Sequence, residues 1–340
     1  MAGEVEMGIQ FLDCTLRDGA HVNGGKFEKD HIKNIISRLS KAFCDIVEIG
    51  FLKNVVYDED ITSYPEMKEA EDILRESFSN DDVRYSLMAR ADTYDVSKLS
   101  YCEGKIKLIR IAFYYDYLDK AIDFAKVVKS KGYDFTLNLI NTPGSSLDEL
   151  ERLIDYANEI IPYAVMIVDT FGVLDVATLT AIASNYHDKL DSRIKLGLHA
   201  HENMSQANAL AQCFIELIGD KRDIIVDGSL MGMGRAPGNL CTELICNHLN
   251  ERYGKQYDLK PILESISDDI LPMKGKYKWG YSPEYFISAK YRVHRSYAEY
   301  MSEKGMTLEK IDEVLSKIDR QHSKKYDEKY LLEMIRNNEK

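Results

Sequence analysis

Leu12-Asp13-Cys14-Thr15-Leu16-Arg17-Asp18-Gly19-Ala20-His21 opens with an apolar run, as a buried strand does, and then delivers an arginine, a carboxylate, a glycine and a histidine within five residues. Alone it reads equally as a strand-to-helix turn with ordinary charges, because Asp-Gly pairs are common turn formers. A second stretch, Leu196-Gly197-Leu198-His199-Ala200-His201-Glu202-Asn203, changes that reading. Its histidines stand at i and i+2, which puts both rings on one face of a strand. Two imidazoles on one face at a strand's carboxyl end form a metal-ligand pattern.

Outward from these stretches the chain alternates. Apolar or β-branched runs at 45–51, 83–89, 106–113, 133–140 and 164–169 predict buried strands, with 195–199 and 224–229 as the seventh and eighth. Apolar residues at helical spacing predict helices over 28–43, 67–78, 118–132, 147–161, 176–190 and 205–218. Strands recurring at intervals of roughly thirty residues with helices between them require parallel β-α-β units, and eight such units over about 250 residues make a (β/α)8 TIM barrel. A doubly wound open sheet is the other α/β solution. Against it, no G-x-G-x-x-G opens a helix after the first strand, and polar residues gather at the carboxyl ends of several strands, the rim where barrels place their sites. Closing the barrel sets strands 1 and 7 on either side of strand 8, roughly 10 Å apart. Asp18 then joins His199 and His201, and one carboxylate with two imidazoles suits a catalytic divalent ion: Mn, Mg, Co or Zn.

After residue 250 the alternation stops. Helices are predicted over 283–301, 308–318 and 326–335, which divides the chain into a catalytic barrel (1–252) and a C-terminal helical appendage (253–340). The tyrosines of the appendage and Trp279 suit a core, a subunit contact or a lid over the barrel mouth.

The formal net charge of -12 argues against a general affinity for nucleic acid or an anionic membrane and favours a small-molecule enzyme. Six cysteines without C-x-x-C spacing are expected to be reduced, buried thiols. Met1 to Met7 carries acids and no apolar core, so no signal peptide is expected, and no apolar run approaches the roughly eighteen residues of a membrane span. A cytoplasmic protein is expected.

Four motifs in chain order, Leu16-Arg17-Asp18-Gly19, Glu48 on the second strand, His199-x-His201 and the loop Gly232-Met233-Gly234-Arg235-Ala236-Pro237-Gly238-Asn239, resemble the DRE-TIM metallolyase superfamily across residues 9–250. That superfamily includes 4-hydroxy-2-oxovalerate aldolases, hydroxymethylglutaryl-CoA (HMG-CoA) lyase and isopropylmalate-type synthases. Gly19-Ala20-His21 is similar to the aldolases, which place a histidine two residues after the glycine, whereas Claisen-type synthases follow R-D-G with Glu-Gln. The lyase carries a cysteine within its last glycine loop; here Cys241 falls beyond Asn239. Gly280-Tyr281-Ser282-Pro283-Glu284-Tyr285 is similar to the aldolases' G-Y-x-x-x-Y segment, while Asn23-Gly24-Gly25 departs from them and resembles aldolase-like proteins of surface-polysaccharide clusters.

The resemblance implies metal-assisted cleavage of a 4-hydroxy-2-oxo acid to pyruvate and an aldehyde. Asp18, His199 and His201, with Asn239 as a fourth ligand, would hold the divalent ion, Mn or Mg foremost. His21 would be the general base, Arg17 would stabilise the pyruvate enolate, Glu48 would hold Arg17, and Tyr281 or Tyr285 would move a proton. Arg17 with Glu48 also fits a structural ion pair, and His21 a helix cap. The other readings are an acyl-CoA condensing synthase or HMG-CoA-lyase-like enzyme, and a non-catalytic metal-binding barrel that docks a partner. The expected partners are a small 2-oxo acid and an aldehyde, a dehydrogenase or other enzyme on the helical tail, and further copies of the chain.

Overall fold

The computed structural model describes residues 8–338. The eight expected strands are present: β1 Ile9–Asp13, β2 Ile46–Leu52, β3 Arg84–Arg90, β4 Ile106–Phe113, β5 Asp134–Leu139, β6 Ala164–Val168, β7 Lys195–His199 and β8 Ile224–Gly228. Every neighbouring pair is parallel, and β1 pairs both with β2 (Leu12 with Ile46) and with β8 (Phe11 with Val226). That double pairing closes the sheet, so the fold is a (β/α)8 TIM barrel and not an open sheet. The two-residue strand Ser63–Tyr64 adds to β2 outside the closed ring.

Period-two alternation decides what each strand buries. On β4, Ile109, Ile111 and Phe113 join the large apolar cluster shared with the surrounding helices, whereas Leu108 joins Leu12, Ile46, Met166 and Ile225 in a separate cluster. Between Leu108 and Ala112, in register with them, stands Arg110, which is fully buried. Its Nη1 donates to Glu48 Oε2 on β2 at 3.0 Å and its Nη2 to Asp227 Oδ2 on β8 at 2.5 Å, tying three strands together.

The helices that cover the barrel fall where expected, at Lys29–Lys41, Met67–Glu76, Leu118–Ser130, Leu147–Ile160, Val176–Lys189 and Ala207–Ile218, and Thr242–Tyr253 follows β8. The β3–β4 connection departs from the alternation. It carries only the 3₁₀ turn Val96–Lys98, whose Asp95 side chain takes the Ser97 N–H, a local bond that competes with helix formation.

Beyond the barrel the chain is helical, with two differences from the expectation. Leu259–Ser265 runs through a π-helical turn, Ile266–Ile270, into Leu271–Lys274. Asp269 of that turn accepts from His31 Nδ1 at 2.8 Å and Arg38 Nη1 at 2.6 Å, fixing it to the first covering helix. The single helix predicted over 283–301 is two helices, Pro283–Lys290 and Ser296–Glu303, because Arg292 takes a left-handed conformation (φ 54°) and turns the chain. The barrel's apolar cluster extends to Trp279, and a second cluster gathers Ile287, Tyr297, Met301, Val314 and Leu331. Among the described residues no helix is long and apolar enough to cross a membrane.

Replacing Arg110 strands two buried carboxylates. Arg110→Ala is expected to cost about 3–5 kcal/mol of unfolding free energy, read from the midpoint of a urea titration. A loss below about 1 kcal/mol would mean that the ion pairs across the barrel contribute little.

Candidate metal centre and active site

The opening turn is built locally. The Asp13 carboxylate accepts the Thr15 N–H at 2.9 Å and the Thr242 hydroxyl at 2.5 Å, while the Thr15 hydroxyl accepts the Leu230 N–H at 2.8 Å. These bonds pin the start of the short helix Thr15–Asp18 to the loop after β8, and a second short helix, Ala20–Asn23, follows at once. Arg17, Asp18 and His21 thereby stand at the carboxyl rim of the barrel, lining one cavity of about 430 Å³ together with His199 and His201.

Asp18, His199 and His201 each place a potential ligand atom within 4.8 Å of the others, and all three are buried. His201 Nδ1 lies 2.7 Å from the Asp169 backbone carbonyl; a carbonyl only accepts, so Nδ1 carries the proton and Nε2 faces Asp18 Oδ2 at 3.7 Å. His199 Nδ1 lies 3.1 Å from Asp227 Oδ2. The bond to Asp169 orients His201 for a ligand on its far nitrogen, and the Asp227 carboxylate stands beside the His199 ring. Burial opposes ionisation of Asp18, but Arg17 overrides it and holds the carboxyl well below its usual range. Burial pushes His199 down, against Asp227. His201 is raised despite its burial, by the Asp18 carboxylate that its Nε2 faces.

Asn239 completes the set. Its Nδ2 donates to Asp18 Oδ2 at 2.8 Å, and its Oδ1 is buried without a partner. The backbone of the β8 loop allows this approach. A Cβ on Gly234 would stand 2.3 Å from Asn239 Nδ2 and 2.6 Å from Asp18 Oδ2, and at Gly238 (φ 88°) it would stand 2.1 Å from the Gly232 carbonyl. A carboxylate, two oriented imidazoles and an unsatisfied amide oxygen fit a divalent cation.

Arg17 donates from Nε to Glu48 Oε2 at 2.8 Å and from Nη1 to Asp18 Oδ1 at 2.5 Å, so the carboxylate of the ligand set and that of β2 hold its plane between them. His21 meets Phe51 edge-on at 5.6 Å, with its Nε2 4.0 Å from Asp18 Oδ1 and about a third of its side chain open to the cavity (34%). Burial, then the charges of Arg235, Arg17 and Lys53, push its ring down to about 3 against the pull of Asp18.

The structure does not bring the tail tyrosines to this cavity. Tyr281 is 57% exposed, and the Tyr285 hydroxyl donates to Glu299 at 3.4 Å. The tail contributes Arg295 instead, and its Trp279 Nε1 donates to the Met231 carbonyl at 3.1 Å. The Asp169 carboxylate takes the Val173 N–H at 2.9 Å, so only the backbone of that residue serves His201. The sequence motifs do not point to Arg110, Asp227, Lys53 or Arg295. For Arg110 a signal exists, a lone charge at an inward position of an apolar strand, and Asp227 on β8 repeats it.

A closed parallel barrel that gathers such a donor set at its carboxyl rim belongs with the metal-dependent lyases and condensing enzymes. The chain is a member of the HMGL-like family, whose model matches residues 8–269. It is 25% identical over 269 residues to the oxaloacetate decarboxylase of Mycobacterium tuberculosis, covering 76% of each chain. It is 23% identical over 242 residues to a 4-hydroxy-2-oxovalerate aldolase of Roseiflexus castenholzii, covering 69% of each. In three dimensions it matches the N-terminal domain of an aldolase candidate from Bacteroides vulgatus with a TM-score of 0.74 at 22% identity, covering 86% of this chain and 96% of that one, a likeness of fold.

Titration with Mn²⁺, followed calorimetrically, is expected to find one site per chain, to lose it in His201→Ala, and to weaken roughly 10–100-fold in Gly234→Ala, whose Cβ displaces the Asn239 amide. Full affinity in folded His201→Ala would place the ion elsewhere.

Proposed function

We propose that the protein is a divalent-metal-dependent aldolase that cleaves a 4-hydroxy-2-oxo acid into pyruvate and an aldehyde. The observation that carries this reading is that one strand-to-helix turn presents a carboxylate ligand, a guanidinium and an imidazole, Asp18, Arg17 and His21, to the same cavity. Similarity to 4-hydroxy-2-oxovalerate aldolases supports it.

Asp18, His199, His201 and Asn239 would hold the ion, which when bound supplies Lewis-acid polarisation of the substrate's 2-oxo group. Arg17 has Nε and Nη1 engaged by protein carboxylates; its Nη2 is left to donate to the substrate oxygen on which negative charge develops. The neutral His21 ring accepts the proton of the 4-hydroxyl. The C3–C4 bond breaks, its electron pair passes into the pyruvate enolate, and C4 leaves as the aldehyde carbonyl. The enolate takes one proton at C3 to become pyruvate, balancing the one that His21 holds. Glu48 keeps the guanidinium in plane. Arg295, and not Tyr281 or Tyr285, is what the helical tail adds to the cavity.

Pyruvate release from a panel of 4-hydroxy-2-oxo acids, coupled to lactate dehydrogenase, tests the reading. Metal-dependent release is expected to vanish in His199→Ala and to fall roughly 10²–10⁴-fold in His21→Ala and 10²–10³-fold in Arg17→Ala. No pyruvate from any member, in protein that binds Mn²⁺, would contradict it.

A further inference from the structure

The cavity holds more positive charge than this reaction uses. Arg17, Lys53, Arg90, Arg235 and Arg295 line it against the single carboxylate of Asp18, in a chain of net charge -12. Three of the five are occupied: Arg17 by Glu48 and Asp18, Arg90 by Asp92 (Nε to Oδ1, 2.8 Å), and Arg295 by Glu299 (Nε to Oε1, 3.0 Å). Lys53 and Arg235 make no ion pair with any described residue.

Both stand beside the turn that carries His21. Lys53 immediately follows β2, where its N–H donates to the Tyr64 carbonyl at 2.9 Å, and its Nζ stands 4.2 Å from the centroid of Phe51, the ring that His21 meets edge-on. Arg235 follows Gly234 in the β8 loop, its N–H 3.4 Å from Asp18 Oδ2. Because β1 pairs with both β2 and β8, the two cations flank the turn that carries His21, and both charges act on its ring. Burial lowers the Lys53 pKa, the response of an ammonium short of water.

In the proposed cleavage the pyruvate end of the substrate lies at the ligand set and Arg17. The 4-hydroxyl carbon lies at His21, and what it carries points toward Lys53 and Arg235. Resting on that reading, we propose that the aldehyde half bears an anionic group, carboxylate or phosphate, held by Lys53 and Arg235, so that the substrate has an anionic group at each end. An alkyl aldehyde would leave both cations partly desolvated and unmatched, whereas an anion replaces the lost water with charge-assisted hydrogen bonds.

The test has two readouts on the Mn²⁺-loaded full chain. In the condensing direction pyruvate is offered with propanal, succinic semialdehyde or glyceraldehyde 3-phosphate; the last two separate carboxylate from phosphate. One anionic aldehyde is expected to exceed propanal in kcat/KM by roughly a hundredfold, and Lys53→Met or Arg235→Gln to raise its KM roughly tenfold each, with partial recovery in Arg235→Lys. A preference for propanal, or equal losses on all three aldehydes in the variants, would overturn the anion site. The second readout needs no turnover: calorimetric binding of 2-oxoadipate is compared with that of 2-oxohexanoate, of equal chain length, and the dicarboxylate is expected to bind more tightly through Lys53 and Arg235. Charge-dependent binding without condensation of any aldehyde supports the anion site and contradicts the aldolase reading. Condensation without charge-dependent binding or preference supports the aldolase reading and overturns the anion site.

Discussion

The Arg110 guanidinium, buried inside the barrel away from bulk solvent, is the constraint on which the site depends. Its two carboxylate partners are each shared: Glu48 Oε2 also takes Arg17 Nε, and Asp227 Oδ2 also faces His199 Nδ1. One side chain on β4 is thus linked through shared carboxylates to Arg17, beside Asp18, and to His199, two residues of the candidate site. Burying such ions costs several kcal/mol each and is offset only when every one is paired, so a shift of a single member disturbs the rest. The formal charges of Arg17, Arg110, Asp18, Glu48 and Asp227 sum to two positive against three negative, leaving one negative charge within this buried network. A cation beside Asp18 balances it, which is an electrostatic reason for metal to settle there.

That arrangement also explains why so much chemistry sits in one turn. Asp13 and Thr15 fasten the start of the helix to the β8 loop, and the next residues fall at fixed angles around it, Arg17 toward β2 and Asp18 toward Asn239. His21, one turn on, opens to the cavity. The β8 loop reaches the same point only because Gly234 has no side chain. Barrel closure brings this loop, the β1 turn and the β7 histidines together, although more than 170 residues separate the β1 turn from the other two in the chain.

Much of this was legible beforehand, for physical reasons. Strand runs of β-branched and apolar residues at regular spacing leave few topologies, and an i, i+2 histidine pair puts both rings on one face, so the barrel and the meeting of Asp18, His199 and His201 follow from pattern alone. Arg110 and Asp227 are hard to read from the sequence because each sits in an apolar run that reads as core; their roles appear only when strands distant in sequence close on one another. The 283–301 helix breaks at Arg292 without glycine or proline to announce it, and the break places Arg295 in the cavity. Only segment likeness points to the tail tyrosines, and likeness says nothing about where a loop lands. In the β3–β4 connection, where the sequence shows no helical pattern, Asp95 supplies a local bond and only a 3₁₀ turn forms.

The most direct measurement is exchange of the methyl protons of pyruvate with deuterium oxide, followed by proton NMR with the metal-loaded protein and no aldehyde present. It isolates enolate formation from the identity of the second substrate. Loss of the methyl signal that depends on Mn²⁺ or Mg²⁺ and disappears in Arg17→Ala is the predicted result. A folded, metal-loaded protein that leaves the pyruvate methyl signal untouched would contradict enolate chemistry at this site.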